Sequence, residues 1–161
     1  MIPILAGRRS WASAIGNFII NFGVLDYCVL DFLESQLAPK QFAAIKDKHF
    51  QNRIKCLELC ARQSDCSALT RQRFAQFLAR LAPIRELRNH IAHGYLLMRL
   101  DDAGDNPVLT LSLPKNLADA YAPDSKRLSF EGLQQALTEL NQLIEDFSKL
   151  RELWQGGERA S

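Results

Sequence analysis

Net charge is scarce in this chain of 161 residues. It carries 20 Lys and Arg against 18 Asp and Glu, a formal +2. That near-balance excludes a uniformly polybasic nucleic-acid binder, so any RNA or DNA role must rest on a local patch. Cysteine is also sparse. Cys28, Cys56, Cys60 and Cys66 show no CxxC spacing, and His49 with Cys56, Cys60 and Cys66 matches no zinc knuckle. The four are read as reduced thiols packing as small buried hydrophobes in a cytoplasmic protein. Glycine numbers only eight and forms no phosphate-cradling loop, and no GxSxG elbow is present. No cofactor or metal is therefore expected. The opening "MIPILAG" is too short for a secretory core, and its "RR" follows rather than leads. Long uninterrupted apolar runs are missing too. Asn17, Asn21, Asp26 and Asp31 break the stretch "NFIINFGVLDYCVLDFL", and carboxylates at membrane depth are costly. No membrane span is expected. The stretch reads instead as a helix covered on most sides, inside a bundle or between subunits.

What is present suits one soluble globular domain. The hydrophobic share is 47% and the charged share 24%. The domain is placed at residues 1–155, with 156–161 as a flexible tail. A first helix is expected from an N-cap at Ser10 to about Leu37. A short helix opens at Pro39, and a further one spans Phe50 to Arg62. The sequence "SDCSA" breaks the pattern. A long helix follows from Leu69 to His93, with Phe74, Phe77, Leu78, Leu81, Ile84, Leu87 and Ile91 at spacings of three and four. Pro83 sits inside it and should kink it, and Gly94 is a suitable left-handed terminator. "YLLMRLDDAGDNPVLTLSL" reads as a hairpin around an Asp, Gly, Asn and Pro loop. A last helix from Ser129 carries Leu133, Leu137, Leu140, Ile144, Phe147, Leu150 and Trp154 along one side. The fold class is all-α: an antiparallel bundle of four to five helices, with a small β-hairpin before the last helix.

The stretch that stands apart is "ELRNHIAHGY", Glu86 to Tyr95, which holds two of the three histidines. Residues advance by about 100° along a helix. With Ile84, Leu87 and Ile91 toward the core, Arg85, Asn89, Ala92 and His93 share the opposite side. Arg88 borders that face, while His90 points elsewhere and is read as a packing or capping residue. Each of these residues has an ordinary structural account, since cations near a helix C-terminus complement its dipole. Together they offer two guanidiniums, an amide and an imidazole, with Glu86 the one acid nearby. An imidazole exchanges protons near neutrality, and a guanidinium holds a phosphate oxygen. Such a pair without metal suits RNA cleavage by the 2′-hydroxyl, which DNA lacks.

The six residues "RNHIAH", with Arg88, Asn89 and His93 at the fixed positions, resemble the R-polar-x-x-x-H motif of the HEPN superfamily. The apolar first helix is similar to that family's opening helix, and the motif falls late in a long helix before the last one. The resemblance implies a helical bundle that pairs as a homodimer. It implies a metal-independent endoribonuclease acting as a toxin or phage-defence effector. His93 is then the general acid or base, Arg88 holds the scissile phosphate and Asn89 orients. Arg85, outside the motif, is assigned to substrate binding. Arg88 and His93 are about 140° apart on one helix, so a two-fold axis would complete the site. Tyr95 extends the motif to R-x4-H-x-Y and resembles the HepT toxins. That implies regulatory adenylylation of Tyr95 by a nucleotidyltransferase-like antitoxin. A non-catalytic HEPN module binding nucleotide, RNA or protein is the alternative, and a plain helical dimerisation protein a third reading.

Overall fold

The computed structural model describes the backbone of residues 3–63, 66–93, 95–100, 107–112 and 127–158. Five helices account for most of it: α1 (Pro3–Gln36), α2 (Pro39–Ile45), α3 (Phe50–Gln63), α4 (Ala68–His93) and α5 (Phe130–Glu158). The architecture is a helical bundle. Between α4 and α5 the backbone of β1 (Tyr95–Leu100) runs antiparallel to β2 (Pro107–Ser112), pairing Tyr95 with Ser112 and Leu100 with Pro107. A two-residue strand, β3 (Arg127–Leu128), borders β2. Residues 101–106, expected to close a hairpin, and Gly94, expected to terminate α4, lie outside the described residues.

Helix starts are set by local chemistry. Ser10 is not the N-cap of α1, which begins at Pro3 and passes through Ser10. Proline at a first helical position has its φ preset and gives up an N–H that would be unpaired anyway. Pro39 opens α2 in the same way, and the Gln41 side chain accepts a 3.2 Å hydrogen bond from the Ala38 N–H. The Ser67 hydroxyl caps α4 by accepting from the Thr70 N–H at 3.1 Å. The Ser129 hydroxyl caps α5 by accepting from the Gly132 N–H at 3.0 Å. Pro83 does not end α4, which continues to His93. The backbone of α5 runs on through residues 156–158, which the sequence assigned to a tail. Once a helix is nucleated each further residue costs little, and the glycine pair at 156–157 does not stop it.

The chain forms two compact units. Unit 1 is Met1–Ile20 with Pro83–Leu140, and unit 2 is Asn21–Ala82 with Asn141–Ser161. The boundaries cut α1, α4 and α5, and the cut in α4 falls at Pro83.

Unit 2 is built around aromatic rings. Phe32, Phe74, Phe77, Phe147 and Trp154 are all buried. Phe74 meets Trp154 edge-on at 5.3 Å, Phe32 meets Trp154 at 5.4 Å, and Phe77 lies 5.2 Å from Phe147. The two edge-to-face pairs with Trp154 add roughly 0.5–1.5 kcal/mol each beyond area burial. The polar pairs give the helix directions. Asn21, Asp31 and Gln36 of α1 bond Asn141, Arg151 and Trp154 of α5, so these segments run parallel. Phe22 and Asp26 meet Phe50 and Arg53, so α3 also runs parallel to α1. Arg80 bonds Asp146 while Phe74 meets Trp154, so α4 runs opposite to α5. The seven-residue α2 lies within the return that lets α3 start again beside α1.

Unit 1 is held by Trp11, Ala14, Phe18, Ile84, Ile91, Leu133 and Leu140, all buried. Trp11 and Phe130 pack edge-on at 5.4 Å.

Not every apolar residue is inside. Along α1 the buried positions Trp11, Ala14, Phe18, Phe22, Leu25, Val29 and Phe32 repeat at three and four, whereas Ile20 is 65% and Tyr27 69% exposed. By length and composition alone, α1 is apolar enough to cross a membrane. Its acids Asp26 and Asp31 are instead engaged by Arg53 and Arg151. The cysteines depart from expectation. All four are half-buried rather than core. Cys28, Cys56 and Cys60 each stand one position before a buried residue (Val29, Leu57 and Ala61), about 100° off the seam.

Candidate functional site

The motif occupies the last turns of α4, in unit 1. Ile84 and Ile91 are buried, at 5% and 9% exposure, and Leu87 is half-buried between them. That anchors one side of the helix by burial of branched apolar side chains. The other side faces outward. Arg88, Asn89 and Ala92 are exposed and Arg85 is half-buried. Arg88 Nη1 donates to Asn89 Oδ1 at 3.3 Å, a pairing of neighbours that orients the amide and the guanidinium toward each other. His90 is half-buried at the edge of the apolar side, as its helical angle requires.

His93 is the final residue of α4, and Tyr95 opens β1. Their side chains lie outside the described residues. Arg88, Asn89 and Arg85 are thus brought to one exposed region by the helix itself, with the His93 backbone one turn further on.

The chemistry of the described part is that of an anion holder. A guanidinium offers five N–H donors and stays charged at any working pH. The exposed Asn89 amide has its oxygen engaged by Arg88, and its N–H groups are further donors on this face. The small Ala92 leaves space beside them.

Unit 2 contains a second polar feature that the sequence reading passed over. Arg73, Gln76, Phe77 and Arg80 on α4, and Asp146, Lys149, Leu150 and Leu153 on α5, line a cavity of about 210 Å3. Both sets follow i, i+3, i+4, i+7 spacing, which is the signal that could have found them. Asp146 is firmly held. It accepts from Arg80 at 2.6 Å and from Gln142 at 3.0 Å, with Lys149 at 3.9 Å. Burial pulls its carboxyl up, but the bonds from Arg80 and Gln142 and the charges of Arg80 and Lys149 outweigh this. It titrates below the usual carboxylate range.

The Cys60 thiol is chemically quiet at neutral pH. Burial first, and the adjacent Cys56 thiol second, push the Cys60 thiol up to about 11. Among the described residues, no three His, Cys, Asp or Glu side chains gather to hold a metal ion.

Comparison with family models, with curated proteins and with solved structures returns no match for this chain.

Proposed function

We propose that the chain is a metal-independent endoribonuclease of HEPN type, acting as a toxin or phage-defence effector in the cytoplasm. The observation that carries this reading is the end of α4. Arg88 and Asn89 are exposed and hydrogen-bonded, on the side away from buried Ile84 and Ile91, one turn before His93.

In the proposed reaction His93 takes the proton of an RNA 2′-hydroxyl. The 2′-oxygen attacks the adjacent phosphorus, and the bond from phosphorus to the 5′-oxygen breaks. The leaving 5′-oxygen receives a proton from His93 of the partner subunit in a two-fold site. The products are a 2′,3′-cyclic phosphate and a free 5′-hydroxyl, so atoms and charge balance. Arg88 holds the phosphate oxygens as negative charge gathers there, Asn89 orients, and Arg85 adds a contact to the strand. A homodimer is part of this reading. Ile20, Val24 and Tyr27, at i, i+4 and i+7 of α1, are 65%, 44% and 69% exposed, which favours a second copy over bare solvent. A hairpin formed by β1 and β2 carries Tyr95 next to the motif. Adenylylation of Tyr95 by a nucleotidyltransferase-like antitoxin would then place an anion beside Arg88 and block the strand.

The test is cleavage of total RNA or tRNA in EDTA. Wild type should yield cyclic-phosphate ends, and His93→Ala should lower the rate by about 10²–10⁴-fold, the contribution of a general acid–base group. Wild type cutting no faster than His93→Ala would sink the proposal. Arg88→Ala weakening RNA binding when nothing is ever cut would instead indicate a binding module of the same fold.

A further inference from the structure

The overall +2 conceals a strong local imbalance. Residues 39–55 contain Lys40, Lys46, Lys48, Arg53 and Lys55 against the single acid Asp47. That is a local +4, so the rest of the chain sums to −2.

The structure orders this segment. The Arg53 side chain is 14% exposed, and its guanidinium serves inside the protein rather than in solvent. Nη1 donates to Asp26 of α1, and Nη2 donates to the Lys46 carbonyl at 2.6 Å. One half-buried cation thus ties the turn after α2 to α1. The turn is also held by its own backbone. Lys46 N–H bonds Phe42 O at 2.9 Å, Lys48 N–H bonds Ile45 O at 3.0 Å, and Asn52 N–H bonds His49 O at 2.8 Å. The exposed side chains here are Lys46, Lys48 and His49 of the turn, Gln51, Asn52 and Lys55 of the first turns of α3, and Lys40 of α2.

Two classes of polyanion could meet such a surface. A basic segment that docks on lipid normally adds an apolar edge to enter the headgroup region. Among the described residues, none of the exposed large hydrophobics falls within 39–55. The lysines are interleaved instead with Gln51, Asn52 and His49, which donate hydrogen bonds to phosphate and sugar oxygens. A phosphodiester strand fits better than a membrane.

We propose that the α2–α3 turn, through Lys46, Lys48 and Lys55, holds the phosphodiester backbone of an RNA strand. This rests on RNA being the substrate, and it assigns strand binding to unit 2 while cleavage belongs to the α4 motif in unit 1. Holding through charge alone makes the grip insensitive to sequence and sensitive to salt.

The experiment uses fluorescence anisotropy with a labelled 2′-O-methyl RNA of about 16 nucleotides, which binds but lacks the attacking hydroxyl. The full chain is compared with K46Q/K48Q/K55Q and with K149Q, an exposed lysine on α5, as a control. The triple variant should bind about 10- to 100-fold more weakly near 0.1 M salt, with the slope of log K against log salt shallower by about 2. K149Q should match wild type. Equal affinity and slope in wild type and the triple variant overturn the inference. So does lysine-dependent binding of phosphatidylserine vesicles with no RNA binding. Cleavage assays on unmodified RNA separate the two readings. RNA held through these lysines but never cut supports this surface and overturns the ribonuclease. RNA cut equally by wild type and triple variant does the reverse.

Discussion

The two units draw on the same three long helices and spend them differently. In unit 2 the described rings of Phe32, Phe74, Phe77, Phe147 and Trp154 interlock. The described ion pairs lie there as well: Arg53–Asp26, Arg80–Asp146, Lys149–Asp146 and Arg151–Asp31. Unit 1 rests on Trp11 against Phe130, on Phe18 and on aliphatic residues, and it carries the exposed Arg88 and Asn89. Unit 2 thus joins its helices through ion pairs as well as interlocked rings, while the described core of unit 1 is apolar. A substrate must meet side chains at the surface, and exposed polar groups stand at the α4 end of unit 1 and at the α2–α3 turn of unit 2.

The largest effect that tests this contrast is the loss of a ring. Phe147 is fully buried and touches Phe32, Phe74 and Phe77. Phe147→Ala should cost about 3–5 kcal/mol in denaturant unfolding, as lost transfer energy plus a cavity. Amide exchange should rise more in residues 68–82 and 141–154 than in 83–92. Equal acceleration throughout would erase the distinction between the units. A smaller change addresses unit 1. Ser129→Ala removes the oxygen that accepts from Gly132 N–H, and should lower stability by about 1 kcal/mol without moving the unit 2 amides. The smallest is a pH effect in unit 2. A carboxyl with a lowered folded pKa adds stability above its unfolded value, and loses it as pH falls through the folded one. The wild-type advantage over Asp146→Asn should therefore persist near neutrality and fade below about pH 4. An advantage that grew on acidification would break the assignment of Asp146 as a paired anion.

Much of this was legible beforehand. The α2, α3 and α4 boundaries follow from Pro39, the "SDCSA" break and the three-four apolar spacing, all local signals. The outward face of Arg88 and Asn89 also follows from helix angles once Ile84 and Ile91 are taken as core. Ser10 misled because a capping residue type does not forbid a helix that starts earlier, at Pro3. The cysteines misled because frequent burial of a residue type says nothing of a position 100° off the seam. Each half of the cavity lined by Arg80 and Asp146 has a helical spacing legible in the sequence, but their pairing is not, because the two residues are 66 apart in the chain.

By itself, the sequence determined the succession of helices and which side of each is apolar. These depend on neighbours within a turn or two, where spacing and capping decide. Only the tertiary structure decided that Asp26 and Asp31, which look like interruptions of an apolar run, are paired with Arg53 and Arg151. It alone turned Arg53 from a surface cation into the internal tie that holds the lysine-bearing turn. Such pairings join residues 27 and 120 positions apart. No local rule sets that separation. It follows from how helices stack to bury their seams.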